Sequence, residues 1–96
     1  MKREFPLEKT LLVVDDEPSL RDFFRDVLED AGYRVRTAEG AAEALEILER
    51  ESVGVLILDL NLFGMNGIEL GRKIRRERPL CVLYAMTGWT GLFEVE

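Results

Sequence analysis

The chain contains no histidine. That excludes histidine-dependent hydrolase triads, zinc sites built on imidazole, and a phosphohistidine carried by the chain itself. Its one cysteine, Cys81, lies in an apolar segment, so no disulfide can form within the chain and a cytoplasmic setting is expected. By its surroundings Cys81 is a buried small hydrophobe, not a nucleophile. No apolar run approaches the roughly 18 residues that span a bilayer. The opening MKREFPLEK has no signal-peptide core either, and no membrane association is expected. Basic residues are outnumbered, 13 Lys and Arg against 19 Asp and Glu, for a net charge of −6. Without a basic stripe to follow a phosphate backbone, direct nucleic-acid binding is not expected. No repeat, low-complexity tract or linker divides the 96 residues, which read as one small domain over 1–96.

What the chain does have is acid placed where strands end. In LLVVDDEPSLRDFF, four apolar residues run straight into Asp15, Asp16 and Glu17. Leu11–Val14 has the continuous apolar character of a buried strand. Pro18 suits the first position of a helix. Leu20, Phe23, Phe24, Val27, Leu28 and Ala31 then recur at helical spacing until Gly32 stops them. Arg34–Thr37 alternates around Val35 as a short strand. After Gly40, Ala41, Ala44, Leu45 and Leu48 mark one face of a second helix. Val53–Leu58 is a further apolar run and ends at Asp59. The loop LNLFGMNG follows, and Asn66 with Glu69 has the spacing of a capping box that opens a helix to about Arg76. Beyond Pro79, Leu80–Met86 predicts a fourth strand ending at Thr87 and Gly88. The tail WTGLFEVE reads as the start of another helix at Thr90.

Alternating strands and helices predict a parallel sheet flanked by helices and joined by right-handed crossovers. In such sheets ligands bind beyond the carboxyl ends of the strands. Asp15, Asp16 and Glu17 follow the first strand, Asp59 the third and Thr87 the fourth. If the first and third strands are neighbours, Asp15, Asp16 and Asp59 meet in one crevice. A single acid before a helix is accounted for by the helix dipole. Several together call for a hard divalent cation with oxygen ligands, Mg²⁺ above all.

The segments LLVVDDEPSLRDFF, VGVLILDLNLFGMNG and CVLYAMTG resemble those of response regulator receiver domains. The resemblance runs from about Thr10 to the end and implies a flavodoxin-like fold, strand order 2-1-3-4-5 in the family. It implies a phosphoacceptor signalling domain of a two-component system, not an enzyme in its own right. Asp59 resembles the phosphoacceptor. Asp16 would bind Mg²⁺ directly, Asp15 through water, and Asn61 through its backbone carbonyl. Thr87 would be the hydroxyl that follows the phosphoryl group. The donor, with no histidine here, would be external: a sensor histidine kinase, a phosphotransfer protein or a small acyl phosphate. The face of the first helix would receive that partner.

Three further expectations follow from departures. Phe63 stands where many receivers have proline, so the loop after Asp59 is less rigid. The fourth helix, the lysine-bearing fifth strand and the last helix are not recognisable, and neither Lys9 nor Lys73 matches that lysine. The chain is thus expected to be a C-terminally incomplete receiver with its sheet in the order 2-1-3-4, the fifth strand and last helix missing and the fourth strand exposed for self-association. An alternative is a phosphotransfer-deficient fragment or pseudo-receiver acting only through protein contacts. A hydrolase with an aspartate nucleophile would want Asp-x-Asp, and the chain has Asp59, Leu60 and Asn61 there.

Overall fold

The computed structural model describes residues 10–61, 67–86 and 92–95. In chain order the elements are β1 (Thr10–Val14), α1 (Pro18–Asp30), β2 (Arg34–Ala38) and α2 (Ala41–Arg50), followed by β3 (Val55–Asp59), α3 (Gly67–Glu77), β4 (Val82–Met86) and β5 (Leu92–Val95). The strands form one sheet in the order β2-β1-β3-β4-β5. The first four are parallel. The flavodoxin-like fold class is thereby borne out.

Composition decides which strands are central. β1 and β3 carry the longest aliphatic stretches and sit where both sheet faces are covered. Leu12, Val14, Leu56 and Leu58 look to one face, where they pack with Ala44, Ile47 and Leu48 of α2 and with Leu70 and Ile74 of α3. Leu11, Val13 and Ile57 look to the other, against Val35, Met86 and the half-buried Phe24 and Leu28 of α1. The two faces are covered unequally. α1 has no fully buried residue, and Leu20, Phe23 and Val27 are 41%, 58% and 49% exposed.

Arg75 of α3 and Arg78 just after it tie the chain together at the start of β4, away from the acids that follow the strands. Arg78 donates to the Leu48 carbonyl at 2.7 Å and so closes the last turn of α2. Arg75 donates to the carbonyls of Pro79 and Cys81 at 2.9 and 2.7 Å, fixing the turn into β4. These charge-assisted bonds satisfy carbonyls that a helix end or turn leaves open. Cys81 is buried, as expected, and burial pushes its thiol pKa up.

Two expectations need correction. The tail does not begin a helix: Leu92–Val95 forms β5, which runs antiparallel to β4 with Met86 opposite Leu92 and Leu83 opposite Val95. Hence the fifth position in the sheet is filled, and the fourth strand is not its edge. Leu-Phe-Glu-Val is rich in strand formers, and an unpaired β4 offers a full row of backbone partners. Association between copies through an open fourth strand loses its premise. The proposed capping residue Asn66, the helix start at Thr90 and Phe63 lie outside the described residues.

The end of α1 carries a sharp conformational demand. Gly32 has φ +101°, its N–H donates to the Glu29 carbonyl at 3.0 Å, and Tyr33 N–H donates to that of Leu28 at 3.1 Å. This is a Schellman ending, which places glycine in a region that side chains avoid. Nothing stands within 4 Å of a methyl added there, so backbone strain acts alone. Gly32→Ala is expected to lower stability by about 1 kcal/mol. Thermal melting should register a Tm several degrees lower, with the site chemistry unchanged.

Candidate functional site

The parallel register of β1 with β3 pairs Val14 with Leu58, so the residues that follow, Asp15 and Asp59, leave the sheet side by side. Asp15 is still held to β2, its N–H donating to the Ala38 carbonyl at 3.0 Å. Its carbonyl accepts from Arg21 of α1 at 2.7 Å. These two bonds fix the backbone on both sides of the carboxylate. The side chain is 1% exposed. Its Oδ1 accepts the Glu17 N–H at 2.8 Å, whereas Oδ2 is buried with no partner.

Asp59 is fastened just as closely. Its Oδ1 accepts the Asn61 N–H at 2.9 Å, and the next residue, Leu60, donates its N–H to the Met86 carbonyl of β4 at 3.0 Å. Asp16 stands half-buried beside them. One oxygen from each of Asp15, Asp16 and Asp59 lies within 4.8 Å of the other two. Among the described residues, no Lys or Arg forms an ion pair with any of the three. Arg21 is committed to a carbonyl, and Arg25 to Asp22 and the Thr37 hydroxyl. The carboxyl of Asp15 is accordingly held above its ordinary pKa. Desolvation is the main cause, opposed by the Glu17 N–H and reinforced by repulsion from Asp59, Asp16 and Glu17.

A buried carboxylate oxygen without a protein partner, inside a group of three carboxylates, fits a cation. The donors are all hard oxygens, which favours Mg²⁺ or Ca²⁺ over softer metals. The convergence expected of Asp15, Asp16 and Asp59 is what the fold produces. Asn61 lies next to them, and Thr87 falls outside the described residues. Reading the chain alone gave no hint of the Arg21 contact or of the two backbone bonds that hold Asp59 in place. All three join residues distant in sequence or use main-chain atoms, which carry no residue signature.

The family model of the response regulator receiver domain matches residues 11–96. The chain belongs to this family. Among curated relatives, an uncharacterised 14.6 kDa protein of Leptolyngbya boryana is 46% identical over 68% of this chain and 50% of its own length. The transcriptional regulatory protein GlrR of Escherichia coli is 42% identical over 72% of the chain and 16% of its own length. The receiver chain thus spans half or less of these relatives. Among solved structures, the response regulator TrrA of Thermotoga maritima in complex with Mg²⁺-BeF is 32% identical. The match has a TM-score of 0.79 and covers 84% of this chain and 70% of that one. A CheY-like receiver domain protein from Methanospirillum hungatei is 33% identical, with a TM-score of 0.80 over 85% and 66%. No helix among the described residues is long and apolar enough to cross a membrane.

The acid cluster makes a prediction for the metal-free receiver. Asp15 has a folded pKa above its ordinary 3.8, so the folded state binds more protons than the unfolded state just above that value. Its contribution is fully present below pH 3.8 and is lost as pH rises through the elevated folded pKa. Asp15→Asn keeps an acceptor for the Glu17 N–H and removes the charge. In chelator at neutral pH it should raise Tm by a few degrees and flatten this part of the stability–pH curve. A lower Tm would mean that the carboxylates are not in conflict.

Proposed function

We propose that this receiver accepts a phosphoryl group on Asp59 in a Mg²⁺-dependent reaction and changes its protein contacts in response. The observation that carries the reading is the cluster of Asp15, Asp16 and Asp59, with the buried and unpartnered Oδ2 of Asp15. Asp15, Asp16 and Asp59, with the Asn61 carbonyl, would hold the cation, which neutralises charge on the transferring phosphoryl group. Asp59 is the nucleophile. One carboxylate oxygen attacks phosphorus, an acyl phosphate forms, and the bond from phosphorus to the donor's leaving atom breaks. The Asn61 N–H keeps one Asp59 oxygen occupied and leaves the other to react. Thr87, directly after β4, is assigned the hydroxyl that tracks the new phosphoryl oxygens.

The donor would be the phosphohistidine of a sensor kinase or phosphotransfer protein, or a small acyl phosphate. Leu20, Phe23 and Val27 supply an exposed apolar strip on α1, directly after the acids, for the protein donors. The domain acts as a signalling module over residues 1–96. A specific observation favours a second reading, a pseudo-receiver that works through contacts alone. β5 fills the fifth place in the sheet with Leu92–Val95, which includes no lysine to pair with phosphoryl oxygens.

Two measurements separate these readings. Incubated with Mg²⁺ and an acyl phosphate, the chain should gain one phosphoryl group, mapped by mass spectrometry to Asp59 and absent from Asp59→Asn. A site elsewhere would refute the assignment. Mg²⁺ should also raise the melting temperature by mass action, and Asp16→Asn should weaken its affinity by at least about tenfold. Metal binding without an adduct would favour the pseudo-receiver.

A further inference from the structure

The segment that carries Asp59 is pinned from two sides. From β4, the Met86 carbonyl accepts the Leu60 N–H. From α3, the N–H of its first residue, Gly67, donates to the Leu60 carbonyl at 3.2 Å. That second bond brings Gly67 onto the peptide that follows Asp59. A methyl added at Gly67 would lie 2.7 Å from the Leu60 carbonyl carbon and closer still to the Asp59 carbonyl oxygen and Leu60 Cα. All three are backbone atoms, so no rotamer change relieves the overlap. Positive φ is not the reason for glycine here, since among the described glycines only Gly32 has it. Closeness is.

The rest of α3 has no freedom to back away cheaply. Leu70 and Ile74, one and two turns on, are both wholly buried in the larger core cluster. A side chain at position 67 must therefore push the Asp59–Leu60 backbone and not the helix. Asn61 N–H is bonded to the Asp59 carboxylate, so a displaced Leu60 carries both groups with it.

We propose that Gly67 is a positioning residue for the cation site. By admitting α3 to contact with the Asp59–Leu60 peptide, it sets where the Asp59 carboxylate and the Asn61 carbonyl stand relative to Asp15 and Asp16. The proposal rests on the reading of those groups as Mg²⁺ ligands. Mg²⁺ tolerates little departure from octahedral geometry, so a sub-ångström shift of two of its ligands weakens binding.

Gly71 supplies the control. It lies on the same helix, but a methyl there meets only the Leu58 and Leu83 side chains, at 3.4 and 4.0 Å. Calorimetric titration with Mg²⁺ alone should give a dissociation constant raised at least about tenfold in Gly67→Ala and within about twofold of the parent in Gly71→Ala. Ile74→Val, which loses a buried methylene from α3, should lower Tm and leave Mg²⁺ affinity unchanged. Gly67→Ala is also made in the Gly71→Ala background with a stabilising osmolyte, where added helix propensity supports the fold. An independent readout is the Asn61 amide resonance in metal-free protein, which should move in Gly67→Ala and stay in Gly71→Ala. Parental Mg²⁺ affinity in Gly67→Ala, or equal weakening in Ile74→Val, overturns the proposal, as does an unmoved Asn61 resonance. A moved resonance in a chain whose parent ignores Mg²⁺ upholds the positioning and overturns the metal reading alone.

Discussion

The pairing of β1 with β3 is the constraint on which the rest of the molecule depends. Each is a short aliphatic run that stops at an acid, Asp15 directly after β1 and Asp59 as the last residue of β3, and each satisfies its backbone and side chains only at the centre of a covered parallel sheet. Once Val14 is set against Leu58, the acids after them have no choice of neighbour. Desolvation of Asp15 and its repulsion from Asp59 and Asp16 are then consequences of strand register, not of any local preference of the loop. The fold imposes the conflict, and the conflict is what makes the site receptive to a cation.

Backbone bonds keep that conflict from relaxing. The carbonyl of Asp15 is held by Arg21, its amide by Ala38, and Leu60 is gripped between Met86 and Gly67. Four acceptors and donors from β2, α1, β4 and α3 thus meet at Asp15 and Leu60, the residues directly after β1 and β3. Unpaired buried polar groups are costly, so each bond also resists any movement that would break it. Side-chain rotation is the remaining escape, and for Asp15 the Glu17 N–H restrains it.

Most of this frame was legible in the chain. α1 announced itself through Pro18, its apolar spacing and Gly32, and each of these has the predicted role. Asp15, Asp16 and Asp59 could be brought together because strand ends are readable from where apolar runs stop. β5 was not readable. Leu92–Val95 is too short for its period to distinguish strand from helix, and its pairing partner is supplied by β4, whose free edge exists only in the folded sheet. Gly67 was legible only as the last residue of the loop LNLFGMNG. Its need for glycine comes from the Asp59–Leu60 backbone, a contact across the fold that no local pattern encodes.

The unequal covering of the two sheet faces joins these points. On one face α2 and α3 bury aliphatic side chains completely, and α3 gains the leverage to hold the Asp59 segment in place. On the other, α1 is the only helix among the described residues that meets the sheet, and its Leu20, Phe23 and Val27 are exposed. Complete burial is therefore concentrated on the face covered by α2 and α3, while the helix that follows Asp15, Asp16 and Glu17 is the less buried one. Local openings draw on elements with few buried contacts, and among the described helices α1 has the fewest buried residues. A cation drawn in by the acids would meet the backbone-held Asp59 at one side and the partly exposed α1 at the other. Arg21, which belongs to α1 and donates to the carbonyl of Asp15, is the bond that ties this exposed helix to the acid cluster.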